Sequence, residues 1–245
     1  MIASLGMYDM PHARDAYDRL WDGIRDALGY GPEKLNRTHD SWGIWQSPDL
    51  LLAQTCGLPF RARLYGQVTL VGTPDYGLRD CPSGYYYSYI IRRRGDGRDL
   101  RTLARSGILA YNDGLSQSGW AAPVAAAGAL NLTVPATLET GAHVASIHAV
   151  LERRADFAGI DAITYLMWQH AHPETAQGIE TFIRTDPTPG LPLITTKGRD
   201  PAPIAHAVRN AIAQMSASDR DILHLKGLAR IDADTYRALP IPAMP

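Results

Sequence analysis

The sequence contains little cysteine, with only Cys56 and Cys81 among 245 residues. Two cysteines are too few for a disulfide-rich scaffold, and neither has the CxxC or Cys/His spacing typical of structural zinc. The scarcity therefore excludes a fold that disulfides or structural zinc hold together. One bridge between Cys56 and Cys81 is compatible with the sequence, and so are two buried thiols.

An excess of charge of one sign is also missing. The 24 Lys and Arg residues are balanced by 25 Asp and Glu residues, which gives a formal net charge of -1. A protein that neutralises many phosphate groups needs a clustered basic excess. We therefore expect no nucleic-acid partner.

Long hydrophobic runs are absent as well. The most apolar stretch, 120–130, has eleven residues and contains Pro123 and Gly128, whereas a membrane helix needs about 20 apolar residues. Residues 1–10 have neither the basic n-region nor the apolar h-region of a signal peptide. We expect no membrane span, and a periplasmic location if a signal was removed or a cytoplasmic one otherwise.

What the sequence does contain is the composition and order of a globular α/β protein. Hydrophobic residues make up 45% and charged residues 20%, which excludes disorder, collagen and coiled coil. Periodicity and turn residues predict helices over 13–28, 141–154 and 162–170, another helix from about 118, and strands over 2–7, 50–53, 67–72, 85–92, 108–112, 133–138, 157–160 and 179–184. This alternation predicts two α/β units, and the extended runs 85–94 and 178–184 predict that paired strands join them.

The segment 111–120 is rich in hydroxyl groups and lies between a predicted strand and a predicted helix. The hydroxyls of Ser116 and Ser118, together with backbone N–H groups at the helix start, would form a neutral cradle for an oxyanion. The alternative is structural, with Ser118 as the N-cap of the helix and Asn112 to Gly114 as a turn.

Two further strand ends have the same arrangement of small and polar residues. Thr140 is predicted to cap a helix that holds His143 in its first turn, and Asp161 follows an apolar strand. Ligand sites in open α/β sheets lie at the carboxyl ends of strands, so Ser116, His143 and Asp161 are expected together. The alternatives are a structural histidine and an aspartate that only caps its helix.

We expect Asp161 to face a ligand rather than cap the following helix. An acid beside an oxyanion weakens binding unless it meets a cation or a donor on the ligand. His143 and His148 do not share a helix face, which argues against the metal-binding pair of a metalloprotease.

Three motifs carry a resemblance to a known family: Asn112-x-x-x-Ser116-Gln-Ser118-Gly119, Thr140-Gly-Ala-His143-x-x-Ser146-Ile, and Ala155-Asp-x-Ala-x-Ile-Asp161. With them the chain resembles the phosphonate-binding PhnD family, whose members serve ABC transporters for phosphate, phosphite and phosphonate compounds. The resemblance implies a class II periplasmic-binding fold, with two α/β lobes joined by a two-strand hinge. Lobe one would comprise 1–88 and 186–245, and lobe two 89–185.

The resemblance also implies a ligand site in a cleft between the lobes. Ser116, Gln117, Ser118 and His143 would hold the oxyanion, Asp161 would meet a positive group on the ligand, and lobe one would add Tyr8, Gln54, Thr55 and Tyr85. The expected partners are a small phosphonate, phosphite or phosphate-type anion and an ABC permease. No cofactor or metal is implied.

Two other function classes compete with solute binding. An enzyme on the same two-lobed fold, such as a lyase or a biosynthetic enzyme, is the main alternative, and a sensory ligand-binding module is the other. A serine hydrolase fits poorly, because Ser118 stands where the last glycine of a nucleophile elbow would be.

Overall fold

The computed structural model describes residues 1–134 and 136–245. They form two compact units, Met1–Tyr85 with Pro189–Leu239 and Tyr86–Thr188 with Pro240–Pro245. The strands are β1 (Ile2–Ser4), β2 (Leu50–Gln54), β3 (Val68–Asp75), β4 (Tyr85–Tyr86), β5 (Ser88–Arg93), β6 (Ile108–Tyr111), β7 (Ala136–Glu139), β8 (Phe157–Asp161), β9 (Ile179–Arg184), β10 (Thr188–Pro189), β11 (Leu193–Thr196) and β12 (Gly227–Ala229). The helices are α1 (Arg14–Leu28), α2 (Ser41–Trp45), α3 (Gly57–Pro59), α4 (Leu100–Ser106), α5 (Ala122–Gly128), α6 (His143–Leu151), α7 (Ala162–Ala171), α8 (Pro173–Ala176), α9 (Ala202–Gln214), α10 (Ala217–Leu223) and α11 (Ala233–Arg237).

The first unit is built on a five-stranded mixed sheet in the order β1-β2-β11-β3-β12. Strand β2 is parallel to β1, and β11 is antiparallel to both β2 and β3. Every residue of β2 is buried, as expected for a strand that is covered on both faces. The predicted strand 2–7 is shorter than expected, because β1 ends at Ser4 and Gly6–Tyr8 forms a 3-10 turn that buries Tyr8.

Helix α1 follows the predicted apolar period closely. Its buried face is formed by Ala16, Tyr17, Leu20, Trp21 and Ile24, which recur at intervals of three and four residues and so lie on one side. The helix ends where Gly29 adopts φ 75° and its N–H donates to the carbonyl of Arg25. A left-handed glycine is the usual way to satisfy the last carbonyls of a helix.

The second unit has its own five-stranded sheet in the order β7-β6-β8-β5-β9. Strands β6, β7 and β8 are parallel, whereas β5 is antiparallel to both β8 and β9. Neighbouring residues of one strand pack into different cores: Phe157 lies in one cluster and Ala158 in the other. The inner strands β6 and β8 are therefore covered on both faces, which accounts for their nearly continuous apolar sequences, whereas the edge strands β7 and β9 are largely exposed or half-buried.

The chain passes between the two units in the two-residue strands β4 and β10, which pair with each other. These crossings lie a few residues from the predicted boundaries at 88/89 and 185/186. The assignment of 186–245 to the first unit needs a correction, because Pro240–Pro245 groups with the second unit. The predicted strand 133–138 includes Pro135, which lies outside the described residues, and β7 covers Ala136–Glu139.

Of the two alternatives that the sequence leaves open for the cysteines, the bridge is not formed. Cys56 is a buried thiol, and Cys81 is a half-buried one. No helix within 1–134 or 136–245 is long and apolar enough to cross a membrane.

Candidate functional site

The parallel strands of the second unit bring the predicted polar residues to one edge of the sheet. Tyr111 pairs with Glu139 and Ala110 with Ala158, so β6, β7 and β8 end side by side. The segments that follow these strands carry Ser116, Ser118 and His143, and Asp161 is the last residue of β8. The carboxyl edge of such a sheet is where ligands bind in α/β proteins.

Ser116 caps the helical segment after β6. Its backbone is extended, and its Oγ accepts a hydrogen bond from the N–H of Gly119 at 2.9 Å. The segment Gln117–Ala121 is a π-helical turn in which the N–H of Ala121 donates to the carbonyl of Ser116 at 3.0 Å. The predicted alternative of Ser118 as N-cap is therefore wrong, and its hydroxyl is available for other contacts.

That hydroxyl contacts His143. Ser118 Oγ lies 2.8 Å from His143 Nε2 and 3.4 Å from Ser116 Oγ. The hydroxyls of Ser116 and Ser118 and the imidazole of His143 thus form one hydrogen-bonded row, and it joins two segments that the sequence predicts to lie together. Which of Ser118 and His143 donates depends on the tautomer of the ring.

His143 is held in its neutral form by its surroundings. Burial lowers the pKa of His143 to about 4, and a weaker interaction with the backbone of Gly159 acts in the opposite direction. The ring is also at the first position of α6, where the positive end of the helix dipole disfavours an imidazolium. At neutral pH the site therefore offers polar donors and acceptors without a positive charge on His143.

Thr140 does not cap α6 as predicted. The N-cap is Ala142, and Thr140 Oγ1 instead donates to the carbonyl of Tyr111 at 3.0 Å. The same hydroxyl lies 2.7 Å from Ser146 Oγ. Thr140 therefore ties the end of β6 to the first turns of α6, and the helix begins two residues later than the predicted residue 141.

Two glycines allow the π-helical turn to pack closely against its neighbours. A Cβ on Gly119 would lie 1.9 Å from Asn112 Oδ1 and 3.2 Å from His143 Cε1, and a Cβ on Gly159 would lie 2.5 Å from the Ser118 carbonyl oxygen. Gly159 was not identified from the sequence, because the close approach of β8 to this turn is a tertiary contact. Gly119 therefore allows the turn to approach His143, and Gly159 allows it to approach β8.

Asp161 caps α7, contrary to the prediction that it faces a ligand rather than the helix. Its Oδ1 accepts hydrogen bonds from the N–H groups of Ile163 at 2.8 Å and Thr164 at 3.1 Å. The residue is only 2% exposed, so these contacts satisfy one oxygen of a buried carboxylate. A role toward the ligand stays a prediction for Asp161, as it does for Gln117, the buried first residue of the π-helical turn.

In the first unit, Tyr76 connects two of the predicted residues. Gln54 Nε2 donates to Tyr76 Oη at 3.2 Å and to the Leu191 carbonyl at 3.4 Å, and the rings of Tyr8 and Tyr76 meet edge to face at 5.3 Å. An amide has two N–H donors, so these contacts use both donors of Gln54. Tyr76 itself was missed, because nothing in its local sequence places it beside Tyr8.

The other two residues predicted in the first unit have different surroundings. Thr55 is fully buried, with its N–H donating to the Pro192 carbonyl and its Oγ1 to the Cys56 carbonyl. Tyr85 lies near Tyr236: burial raises the pKa of Tyr236, and Tyr85 adds to the effect. Their roles in binding stay predictions.

The described residues contain no cluster of three or more His, Cys, Asp or Glu side chains that could hold a metal ion. A cavity of about 680 Å³ in the first unit is lined by apolar side chains such as Phe60, Val68 and Leu70, with Arg209 and Arg230 beside them. None of the predicted site residues lines it.

A family model described as ABC transporter, phosphonate, periplasmic substrate-binding protein matches residues 50–236. Similar solved structures include the binding protein component of an ABC phosphonate transporter from Pseudomonas aeruginosa, at 16% identity and a TM-score of 0.74, covering 96% of this chain and 82% of that one. PhnD1 from Prochlorococcus marinus, in complex with methylphosphonate, is 15% identical with a TM-score of 0.70 and coverage of 96% and 94%. A Xanthomonas citri protein bound to ATP is also 15% identical, with a TM-score of 0.64 and coverage of 91% and 90%.

No curated protein matches the chain. The solved structures share its two-lobed α/β fold at low identity, which confirms the predicted fold class. The family model covers more than half of the sequence and includes every candidate residue except Tyr8. The chain belongs to the family of periplasmic substrate-binding proteins of phosphonate ABC transporters.

Proposed function

We propose that this protein captures a small compound with a phosphonate, phosphite or phosphate group and delivers it to an ABC permease from the periplasm. The observation that carries the proposal is the 2.8 Å contact between Ser118 Oγ and His143 Nε2, at the carboxyl ends of the parallel strands β6, β7 and β8. Family membership supports a transport role over the alternative of an enzyme on the same fold.

The chemistry of this row suits an oxyanion. When Nε2 of neutral His143 carries the ring proton, it donates to Ser118 Oγ, and the hydroxyl hydrogen of Ser118 can then point to the ligand. Ser116 already accepts from Gly119, so its own hydrogen can be given to a ligand in the same way.

The ligand class comes from the family and its neighbours. PhnD1 is described with methylphosphonate and the Xanthomonas citri protein with ATP, so ligands of different size occur on this fold. Phosphonates and phosphate esters share a tetrahedral phosphorus whose charged oxygens accept hydrogen bonds from neutral donors. We therefore propose recognition of the oxyanion itself.

The test is calorimetry with methylphosphonate, phosphite and inorganic phosphate on the wild type, Ser118→Ala, His143→Ala and the double variant. Loss of the Ser118 hydroxyl, a charge-assisted donor, is expected to cost about 1.5 to 3 kcal/mol of binding free energy. His143→Ala should weaken binding because the Ser118 hydroxyl loses the partner that orients it. Because the two side chains are hydrogen-bonded to each other, their effects should not add.

His148→Ala is the matched control, because His148 lies on the exposed face of the same helix. It should bind like the wild type. An unchanged affinity in the Ser118→Ala/His143→Ala variant would exclude this pair as the oxyanion site.

The candidates of the first unit belong to the proposal only as further contacts. Gln54 already uses both N–H donors within its own unit, so we propose that it orients the Tyr76 hydroxyl and that Tyr8 and Tyr85 contribute through their hydroxyl groups. The Thr55 hydroxyl donates to the Cys56 carbonyl, so we propose that Thr55 acts by holding this segment in place. Their single variants are tested with the same three anions.

A further inference from the structure

The segment Pro240–Pro245, here called the return segment, packs on the second unit although the chain enters it from Leu239 of the first. Its clearest contact is a hydrogen bond of 2.8 Å from Trp120 Nε1 to the carbonyl oxygen of Ala243. Trp120 is only 6% exposed, so its indole N–H depends on this partner. Prolines at 240, 242 and 245 restrict the backbone, which reduces the entropy lost when the segment is ordered.

The return segment also lies directly against Gly114. A Cβ on Gly114 would lie 2.7 Å from Met244 Cε and 2.9 Å from Pro245 Cδ. These distances are shorter than van der Waals contact, so a side chain at 114 requires Met244 and Pro245 to move. The Met244 methyl is the end of a flexible side chain, whereas the Pro245 ring is fixed to the backbone and can move only with the return segment. The backbone of Gly114 does not have the positive φ that favours glycine, which leaves the packing as the reason for a glycine there.

These two contacts lie on either side of the oxyanion residues. Gly114 precedes Ser116 by two residues, and Trp120 follows Ser118 by two within the π-helical turn. The ring of Trp120 also packs against Tyr111, the last residue of β6, at 5.2 Å between ring centroids. The return segment therefore touches both ends of the stretch that presents the two serines.

We propose that the return segment is a positioning element of the ligand site, which holds Gly114 and Trp120 and thereby fixes the Ser116 and Ser118 hydroxyls before a ligand arrives. As a role in binding, it rests on the proposed function. Donors that are fixed in advance bind more tightly because less conformational entropy is lost on binding. Ile241 is 56% and Met244 is 55% exposed, so the segment buries little apolar surface and should affect affinity more than global stability.

The first test uses Gly114→Ala, whose Cβ would displace Met244 and Pro245. We expect methylphosphonate to bind about tenfold more weakly or worse, as for a site whose supporting shell is loosened. The triple variant Gly114→Ala/Met244→Ala/Pro245→Ala removes the displaced side chains and should recover most of the affinity. Gly128→Ala is the matched control, because a Cβ there meets no atom within 4 Å.

A second variant tests the hydrogen bond. Trp120→Phe keeps an aromatic ring beside Tyr111 and removes the donor to Ala243, and it should also weaken binding. Trp168→Phe is its control, since Trp168 Nε1 has no hydrogen-bond partner among the described residues. Equal losses of affinity in the Trp120 and Trp168 variants, or no rescue by the triple variant, would overturn the proposal.

Hydrogen exchange on the ligand-free protein separates this proposal from the proposed function. Gly114→Ala and Trp120→Phe should accelerate exchange of the amides from 114 to 121, while the two controls leave it unchanged. If the wild type binds none of the three anions but exchange accelerates, the proposed ligand is wrong and the positioning role stands. If exchange does not change in either variant, the positioning role is wrong whatever the wild type binds.

Discussion

Burial of His143 should make the stability of the protein depend on pH. Its pKa falls from an ordinary 6.5 to about 4 on burial. His143 becomes protonated below about pH 6.5 in the unfolded chain but only below about pH 4 in the folded protein. The free energy of unfolding should therefore decrease as the pH falls from 6.5 to 4. Above pH 6.5 the contribution is fully present.

The measurement is urea unfolding at pH 7.5 and pH 5. The wild type should lose about 2 kcal/mol more stability between these values than His143→Gln, which has no titrating ring. His148→Gln, on the exposed face of α6, should behave like the wild type. The same pH dependence in wild type and His143→Gln would mean that the ring is not held neutral by burial.

For individual residues, the sequence predicts which side chains meet at the site better than it predicts their local backbone geometry. The sequence predicts that Ser116, Ser118 and His143 lie together because each follows a strand that ends at the same edge, and Ser118 does contact His143. The structural alternative assigns the N-cap to Ser118 instead of Ser116, because both residues have the side chain that a cap requires. A π-helical turn, whose hydrogen bonds skip one more residue than those of an α-helix, leaves no mark in a serine pattern.

At the scale of the secondary-structure elements, Asp161 joins the end of β8 to the start of α7. We expect Asp161→Ala to lower stability by about 1 to 2 kcal/mol, because two N–H groups of the helix lose their acceptor. Asp161→Asn keeps an oxygen that can accept from Ile163 and Thr164, so it should cost less. Thermal or urea unfolding of both variants measures the difference, and a smaller loss for Asp161→Ala than for Asp161→Asn would contradict the capping role.

The same asparagine variant tests whether Asp161 also recognises a ligand. If its carboxylate meets a positive group, Asp161→Asn should weaken binding of an aminoalkyl phosphonate and leave inorganic phosphate unaffected. Equal weakening of both ligands, or of neither, would leave the helix cap as its only role.

The elements that local patterns predicted well are those with strong burial or a clear stop. Strand β9 matches 179–184 and α1 matches the predicted period, because their apolar spacing is imposed by the core and Gly29 ends the helix. The start of α6 was placed too early, because Thr140 has the side chain of a cap but uses it on Tyr111 and Ser146. Tertiary hydrogen bonds of this kind override local capping preference.

The division into two units is predictable from the sequence, whereas the packing of the return segment on the second unit is not. Alternation of strands and helices indicated two α/β units, and the crossings at β4 and β10 lie in the extended regions expected to join them. The return segment contacts Trp120 across 123 positions of sequence. A proline-rich stretch carries no local pattern that identifies such a distant partner.

The stability of the whole chain should not depend on reducing agent. The thiols of Cys56 and Cys81 are not joined, whereas a bridge closing this loop would contribute roughly 3 kcal/mol. The melting temperature should therefore be equal with and without dithiothreitol.

Thiol titration should find a half-buried Cys81 that reacts in the folded protein and a buried Cys56 that reacts fully only after unfolding, because the reagent needs access to sulfur. Cys81→Ser is the control that assigns the faster thiol. A melting temperature that falls on reduction, together with fewer than two thiols in the unfolded oxidised protein, would mean that the bridge forms after all and that the loop between β3 and β4 rearranges to allow it.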